Sequence, residues 1–219
     1  MYRYILFDLD GTLTDPGEGI TRSLWYAFQH YGYPVESLKE LEVYIGPPLK
    51  EEFMARLGVD EGKARELADK FRERYNDVGW KENHPIDGME EALMELKAAG
   101  RKLAVATSKP LTIAARVLEH FDLARYFDVI CGSEPDGSKG EKWMIVDRAL
   151  AGLGVSKEQK QQAVMVGDRR YDIIGGQKNG LATVGLTMGY GSREELKNAG
   201  VSFIASSAKE MTRYLLEHK

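Results

Sequence analysis

Close to the N-terminus an apolar run, Tyr4-Ile5-Leu6-Phe7, ends abruptly in Asp8-Leu9-Asp10-Gly11-Thr12. Four apolar or aromatic residues without alternation read as a strand buried on both faces, the kind found inside a parallel sheet. A carboxylate at the end of such a strand is costly unless something positive meets it. Side chains alternate along a strand, so Asp8 and Asp10 share a face, about 6–7 Å apart while the chain stays extended. Gly11 permits a tight turn immediately afterwards. Acids at the carboxyl end of a buried strand stand where open α/β sheets place their ligands.

The remaining chain alternates between two periodicities. Residues 16–82 carry helical patterns only. Ile20, Leu24, Ala27, Phe28 and Tyr31 share one face, and Gly32 and Pro34 end that helix. After a short piece from Ser37 to Tyr44, Ile45-Gly46-Pro47-Pro48-Leu49 makes a stiff turn, with Pro48 placed to open the next helix. Asp60 is a candidate cap for a further helix through Leu67 and Tyr75. From Pro85 onward, buried strands recur at Leu103–Thr107, Val129–Cys131, Ala163–Val166 and Leu181–Leu186, with a short sixth at Ser202–Ile204, and helices between them. Asp87 is the expected cap of the helix that ends at Gly100, and Ser206 or Ser207 that of the last one. Strands alternating with helices predict a Rossmann-like parallel sheet with right-handed crossovers. The expected organisation is thus an α/β core of residues 1–15 and 83–219, with residues 16–82 inserted as a helical bundle.

Composition narrows the partners. Thirty Lys and Arg against 34 Asp and Glu leave a net charge of −4 over 219 residues, which argues against nucleic acid or a membrane surface as the main partner. An acidic chain that binds phosphate has to concentrate positive charge locally. The single cysteine, Cys131, lies in an apolar run and reads as a small buried side chain. No run approaches 18 apolar residues, and the N-terminus carries no signal-peptide pattern, so the expected location is the cytoplasm.

Three of the strands end in polar residues suited to phosphoryl transfer. The first ends in Asp8 and Asp10, the second in Thr107-Ser108, the fourth in Gly167-Asp168, with Asp172 four residues on. In a parallel sheet these ends line one edge. Four carboxylates facing one another and a phosphate would repel strongly, so the site requires a cation, and oxygen ligands beside phosphate select Mg²⁺. His30, His84, His120 and His218 are scattered without ligand spacing.

Asp8-Leu9-Asp10-Gly11-Thr12 resembles the first motif of the haloacid dehalogenase superfamily of phosphohydrolases. Thr107-Ser108 resembles its second motif, and Gly167-Asp168-Arg169-Arg170-Tyr171-Asp172 its fourth. The segment Gly132-Ser133-Glu134-Pro135-Asp136-Gly137-Ser138-Lys139-Gly140-Glu141-Lys142 resembles the third-motif region of the phosphoglycolate-phosphatase-like branch. The resemblance implies that Asp8 is the nucleophile and Asp10 the general acid and base. It implies that Thr107, Ser108 and Lys142 hold the phosphoryl group, with Lys139 as the rival lysine. It also implies that Mg²⁺ is held by Asp8, the Asp10 carbonyl and Asp168, with Asp172 in support. The helical insert is similar to a C1-type cap, whose loop Gly46-Pro47-Pro48-Leu49 would face the substrate. The expected activity is hydrolysis of small phosphomonoesters, phosphoglycolate or nucleoside monophosphates among them. A phosphosugar mutase and a pyrophosphatase are the alternatives within the superfamily.

Overall fold

The structure, a computed structural model, describes residues 1–134 and 139–217. Two compact units emerge: residues 1–15 with 85–219, and residues 16–84.

The first unit is built on six parallel strands: β1 (Tyr4–Phe7), β2 (Lys102–Pro110), β3 (Val129–Ser133), β4 (Ala163–Gly167), β5 (Ala182–Leu186) and β6 (Phe203–Ala205). Their order across the sheet is β3-β2-β1-β4-β5-β6. β1 pairs with β2 from Tyr4↔Lys102 to Phe7↔Val105, and with β4 from Tyr4↔Ala163 to Phe7↔Val166. The chain therefore winds outward in both directions from β1, and a reversal of this kind opens a crevice at the carboxyl ends of the strands. Period-two alternation sorts the core. Tyr4, Leu6, Ala104, Ala106, Ala163 and Met165 pack on the helix Lys142–Gly152 through Ile145, Val146, Ala149 and Leu150. Ile5, Phe7, Leu103, Val105, Val164 and Val166 are fully buried on the opposite face. Burying such side chains contributes roughly 1.5–3 kcal/mol each.

The sequence expectations differ from the structure at four places in this unit. β2 runs on to Pro110, with a register shift against β3 between Ala106 and Pro110. Asp87 does not cap the following helix. Gly88, at φ 76°, takes the cap position and makes no side-chain bond. Cys131 is only partly buried, because β3 is an edge strand. A short helix, Arg193–Asn198, also forms where no apolar periodicity announced one; Ser192 caps it by accepting the Glu195 amide at 3.0 Å.

The second unit holds three α-helices, Gly17–Tyr31, Leu49–Leu57 and Glu61–Asp77, and two short 3-10 helices, Leu38–Tyr44 and Gly79–Lys81. Asp60 caps the third α-helix, accepting the Lys63 amide at 2.8 Å. Phe28, Tyr44 and Phe53 form a ring cluster with centroids 5.5–5.8 Å apart, within the range that favours tilted and edge-to-face pairs. The turn from Ile45 to Leu49 belongs to this unit. Ile45 and Pro47 are buried, Gly46 has φ 106°, and Pro48 stands in the cap position of the helix that Leu49 opens.

Candidate active site

The carboxyl ends of β1, β2 and β4 bring four aspartates and two lysines together within the α/β unit. Asp8 leaves β1 with its amide bonded to the Val166 carbonyl of the neighbouring strand at 2.9 Å. Gly11, at φ 77°, turns the chain back so closely that a Cβ there would collide with the Asp168 carboxylate. Asp168 is fully buried at the end of β4, and Asp172 is fully buried in the first turn of the helix Arg170–Lys178.

One carboxylate oxygen from each of Asp8, Asp168 and Asp172 lies within 4.8 Å of the others. Facing them is Lys142, the first residue of its helix, with a side chain only 5 % exposed. Its Nζ stands 2.8 Å from Asp8 and 2.8 Å from Asp172, and donates to the Ala106 carbonyl at 3.1 Å. Gly175 leaves room for the stem: a Cβ there would lie 2.6 Å from Lys142 Cγ. Of the two rival lysines, Lys142 is the one brought to Asp8, while Lys139 pairs with Glu134 at 3.3 Å in an exposed position. Residues 135–138 of the same segment, and His218, lie outside the described residues.

Charge in this cluster is unbalanced. Burial opposes the Lys142 ammonium, but Asp172 and Asp8 outweigh it and raise its pKa. Burial raises the Asp172 pKa, with Lys142 working against the shift. Burial also drives the Asp168 pKa well up, reinforced by Asp172 and Asp8, although the Tyr190 amide donates to Asp168 at 2.7 Å and Thr12 Oγ1 at 3.3 Å. Three buried carboxylates sharing one ammonium fit a further cation, and an all-oxygen donor set fits a hard one such as Mg²⁺. Asp8, Asp168 and Asp172 are the side chains that would hold it.

Asp10 is held separately. Lys109 Nζ lies 3.0 Å and 2.7 Å from its two carboxylate oxygens, and both side chains are nearly buried. Burial raises the Asp10 pKa, Lys109 opposes that shift, and Asp8 adds to it. Thr107 is buried, and its Oγ1 accepts the Lys109 amide at 3.2 Å. The Ser108 hydroxyl is directed to the Gly140 carbonyl at 3.0 Å. The turn Gly46-Pro47-Pro48-Leu49 is part of the other unit.

A family model described as haloacid dehalogenase-like hydrolase matches residues 5–186, which contain every one of these aspartates and lysines. The chain belongs to that family. As a haloacid dehalogenase-like hydrolase with this aspartate cluster it is a phosphatase, related to the phosphoglycolate-phosphatase-like branch. It is 43% identical to a 5'-nucleotidase of Pseudomonas aeruginosa over 90% of this chain and 87% of that protein. It is 38% identical to the tyrosine-protein kinase PtkA of Mycobacterium tuberculosis over 93% of this chain and 68% of that protein. The crystal structure of a predicted phosphatase from Clostridium acetobutylicum superimposes with a TM-score of 0.95 at 45% identity, covering 99% of both chains.

Several residues that shape this hydrolase's site escape a reading of its sequence. Lys109 follows the second motif directly, and a lysine so close to a buried strand end was the available signal. Gly189-Tyr190-Gly191-Ser192, just after β5, is a glycine-rich loop of the kind that lets a backbone come close. A Cβ on Gly189 would strike Asp168 and the Gly11 carbonyl, and one on Gly191 would strike the Asp168 carbonyl. Arg169, beside Asp168, is tied to Glu195 at 3.0 Å, which anchors the short helix next to the site.

Proposed function

We propose that this phosphatase hydrolyses small-molecule phosphomonoesters through a phosphoaspartyl enzyme, with Mg²⁺ as its cofactor. The observation that carries the reading is the division of the site: Asp8 lies with Lys142 in the cluster that fits a cation, while Asp10 is held apart from it by Lys109. In the first step an Asp8 carboxylate oxygen attacks phosphorus and the bond to the leaving oxygen breaks. Asp10 gives that oxygen a proton. In the second step Asp10 takes a proton from water, the water oxygen attacks phosphorus, and the bond to Asp8 breaks, releasing inorganic phosphate. Bound Mg²⁺ supplies positive charge to the phosphoryl oxygens, the main requirement of phosphoryl transfer. Lys142 orients Asp8 and adds a second positive charge, and Thr107 and Ser108 lie at the strand end that would receive the phosphoryl oxygens.

Choice of leaving group is assigned to the helical unit, acting as a cap, with the turn Gly46-Pro47-Pro48-Leu49 as its contact. Nucleoside monophosphates head the candidate substrates, because a relative 43% identical is a 5'-nucleotidase. Phosphoglycolate and pyrophosphate follow. A panel of phosphorylated metabolites scored by released phosphate tests the proposal. Release from one or a few small monoesters is expected. If none releases phosphate, while a hexose phosphate isomerises once primed with its bisphosphate, the enzyme is a mutase instead.

A further inference from the structure

We infer that Lys109 is the positioning residue of Asp10, and that it acts on leaving-group protonation rather than on nucleophilic attack; the inference rests on the phosphatase reading above. Four observations converge. A lysine ammonium is strongly hydrated, and burying one is unfavourable unless it is paired. The Lys109 side chain is nonetheless only 5% exposed, and its Nζ spans both oxygens of the Asp10 carboxylate at 3.0 and 2.7 Å. Its place comes from an irregularity in the sheet. Between Ala106 and Pro110 the register of β2 against β3 shifts, inserting extra residues on the β2 side. Two local contacts fix that irregularity. Thr107 Oγ1 accepts the Lys109 amide at 3.2 Å, and Gly132 on β3 is so close that a Cβ there would lie 2.6 Å from the Lys109 carbonyl. A bulge that re-aims one side chain beside a reaction centre is a recurrent device of sheets.

The two lysines have separate work. Lys142 contacts Asp8 and Asp172, and Lys109 contacts Asp10. Removing Lys109 leaves the Asp8–Lys142 pair in place and frees the Asp10 carboxylate to rotate. The resulting loss should therefore follow how much each leaving group needs a proton. Phenyl phosphate and p-nitrophenyl phosphate share a shape but differ in that need. Phenol is a weak acid with a pKa near about 10, like the tyrosine side chain, whereas the nitrophenol is far more acidic and its anion departs readily without help.

In Lys109→Met we expect kcat/KM, which reports only the steps through leaving-group departure, to fall about 100-fold on phenyl phosphate, the scale of a general-acid contribution, and less than about 10-fold on p-nitrophenyl phosphate. Lys109→Arg, which keeps the charge, should recover much of the difference. A merely structural role would lower both substrates alike, and equal losses would overturn the inference. A second arm covers poor folding of a variant that leaves Asp10 buried without its cation. Asp10→Asn and the double variant Lys109→Met/Asp10→Asn should agree within about threefold on both esters, since a residue acting only through Asp10 has nothing further to lose. A further loss of about tenfold in the double variant would refute the positioning role. Wild-type protein that releases phosphate from neither aryl ester and from nothing in the metabolite panel would sink the phosphatase proposal, and this inference with it. Active wild type with parallel losses in the variants sinks this inference alone.

Discussion

The two units carry their charges in opposite ways. In the α/β unit, Lys109 and Lys142 are buried against aspartates that are buried as well. In the helical unit, charges pair along helix surfaces at i,i+3 and i,i+4: Glu18 with Arg22, Glu52 with Arg56, Lys63 with Glu66, Lys70 with Glu73. Surface pairs of that kind contribute about 0–1 kcal/mol each. A buried pair that loses one partner costs about 3–5 kcal/mol, because the other charge is left without compensation. The helical unit uses charge to stay solvated. The α/β unit accepts an energetic cost for charge in order to hold a reactive arrangement.

The contrast is most exposed to challenge at Asp8. Asp8→Asn should lower turnover on the order of 10⁴-fold or more, as loss of a nucleophile does, while circular dichroism shows the fold retained. Near-normal phosphate release from that variant would remove the mechanism. The next largest effect concerns the cation. EDTA should abolish activity and Mg²⁺ restore it, with Ca²⁺ a poor substitute because it takes more ligands at longer range. Mg²⁺ should also raise the melting temperature of the metal-free protein by relieving the repulsion among Asp8, Asp168 and Asp172. A melting curve indifferent to Mg²⁺ would show that the cluster is not a metal site.

Stability then compares the units directly. Lys142→Met should cost about 3–5 kcal/mol in a denaturant titration, whereas Lys63→Met in the helical unit should leave the denaturation midpoint close to that of wild type. Similar costs would erase the distinction. A gentler test lies in selectivity. Pro47→Ala and Leu49→Ala should change the ratio of kcat/KM between two metabolites by several-fold, about 1 kcal/mol of discrimination. An unaltered ratio would take substrate choice away from that turn.

The smallest effect is at Glu82, whose carboxyl is held below the usual carboxylate range chiefly by its hydrogen bonds with Arg74, which run 2.8–2.9 Å, and also by Arg22. A depressed folded-state pKa gives stability that is present above the unfolded value, about 4.3, and lost as pH falls through the folded one. Glu82→Gln should therefore flatten the acid limb of the stability curve and cost about 0.2–1 kcal/mol at neutral pH. An acid limb identical to wild type would place the sensitivity elsewhere.

Legibility in the sequence followed locality. Asp8 and Asp10 could be read because an apolar run, two acids and a glycine lie within nine residues. The alternation of strands and helices made the parallel sheet readable, and the Asp60 cap followed from its own neighbourhood. Lys109 could not be placed in this way. Its inward aim depends on a bulge, and the bulge depends on Gly132 in another strand. The partial exposure of Cys131 depends on strand order, which no local pattern encodes. Asp87 misled because the left-handed Gly88 took the cap position. The helix Arg193–Asn198 is short and polar and buries only Leu196, so periodicity had nothing to detect. Its Ser192-Arg193-Glu194-Glu195 start was the readable mark.

The three glycines around Asp168 bear on how such an enzyme can change over time. Gly11, Gly189 and Gly191 each leave less space than a methyl group requires, so this wall of the site is main chain rather than side chain. A wall of that kind cannot be retuned one residue at a time, because the smallest step, to alanine, already collides. Selection for a new substrate would find the reaction centre closed to gradual adjustment. The helical unit offers a different terrain: exposed side chains such as Trp25, Leu38 and Val43 leave room for single substitutions. New specificities on this scaffold would then accumulate in the insert, while the chemistry is inherited whole.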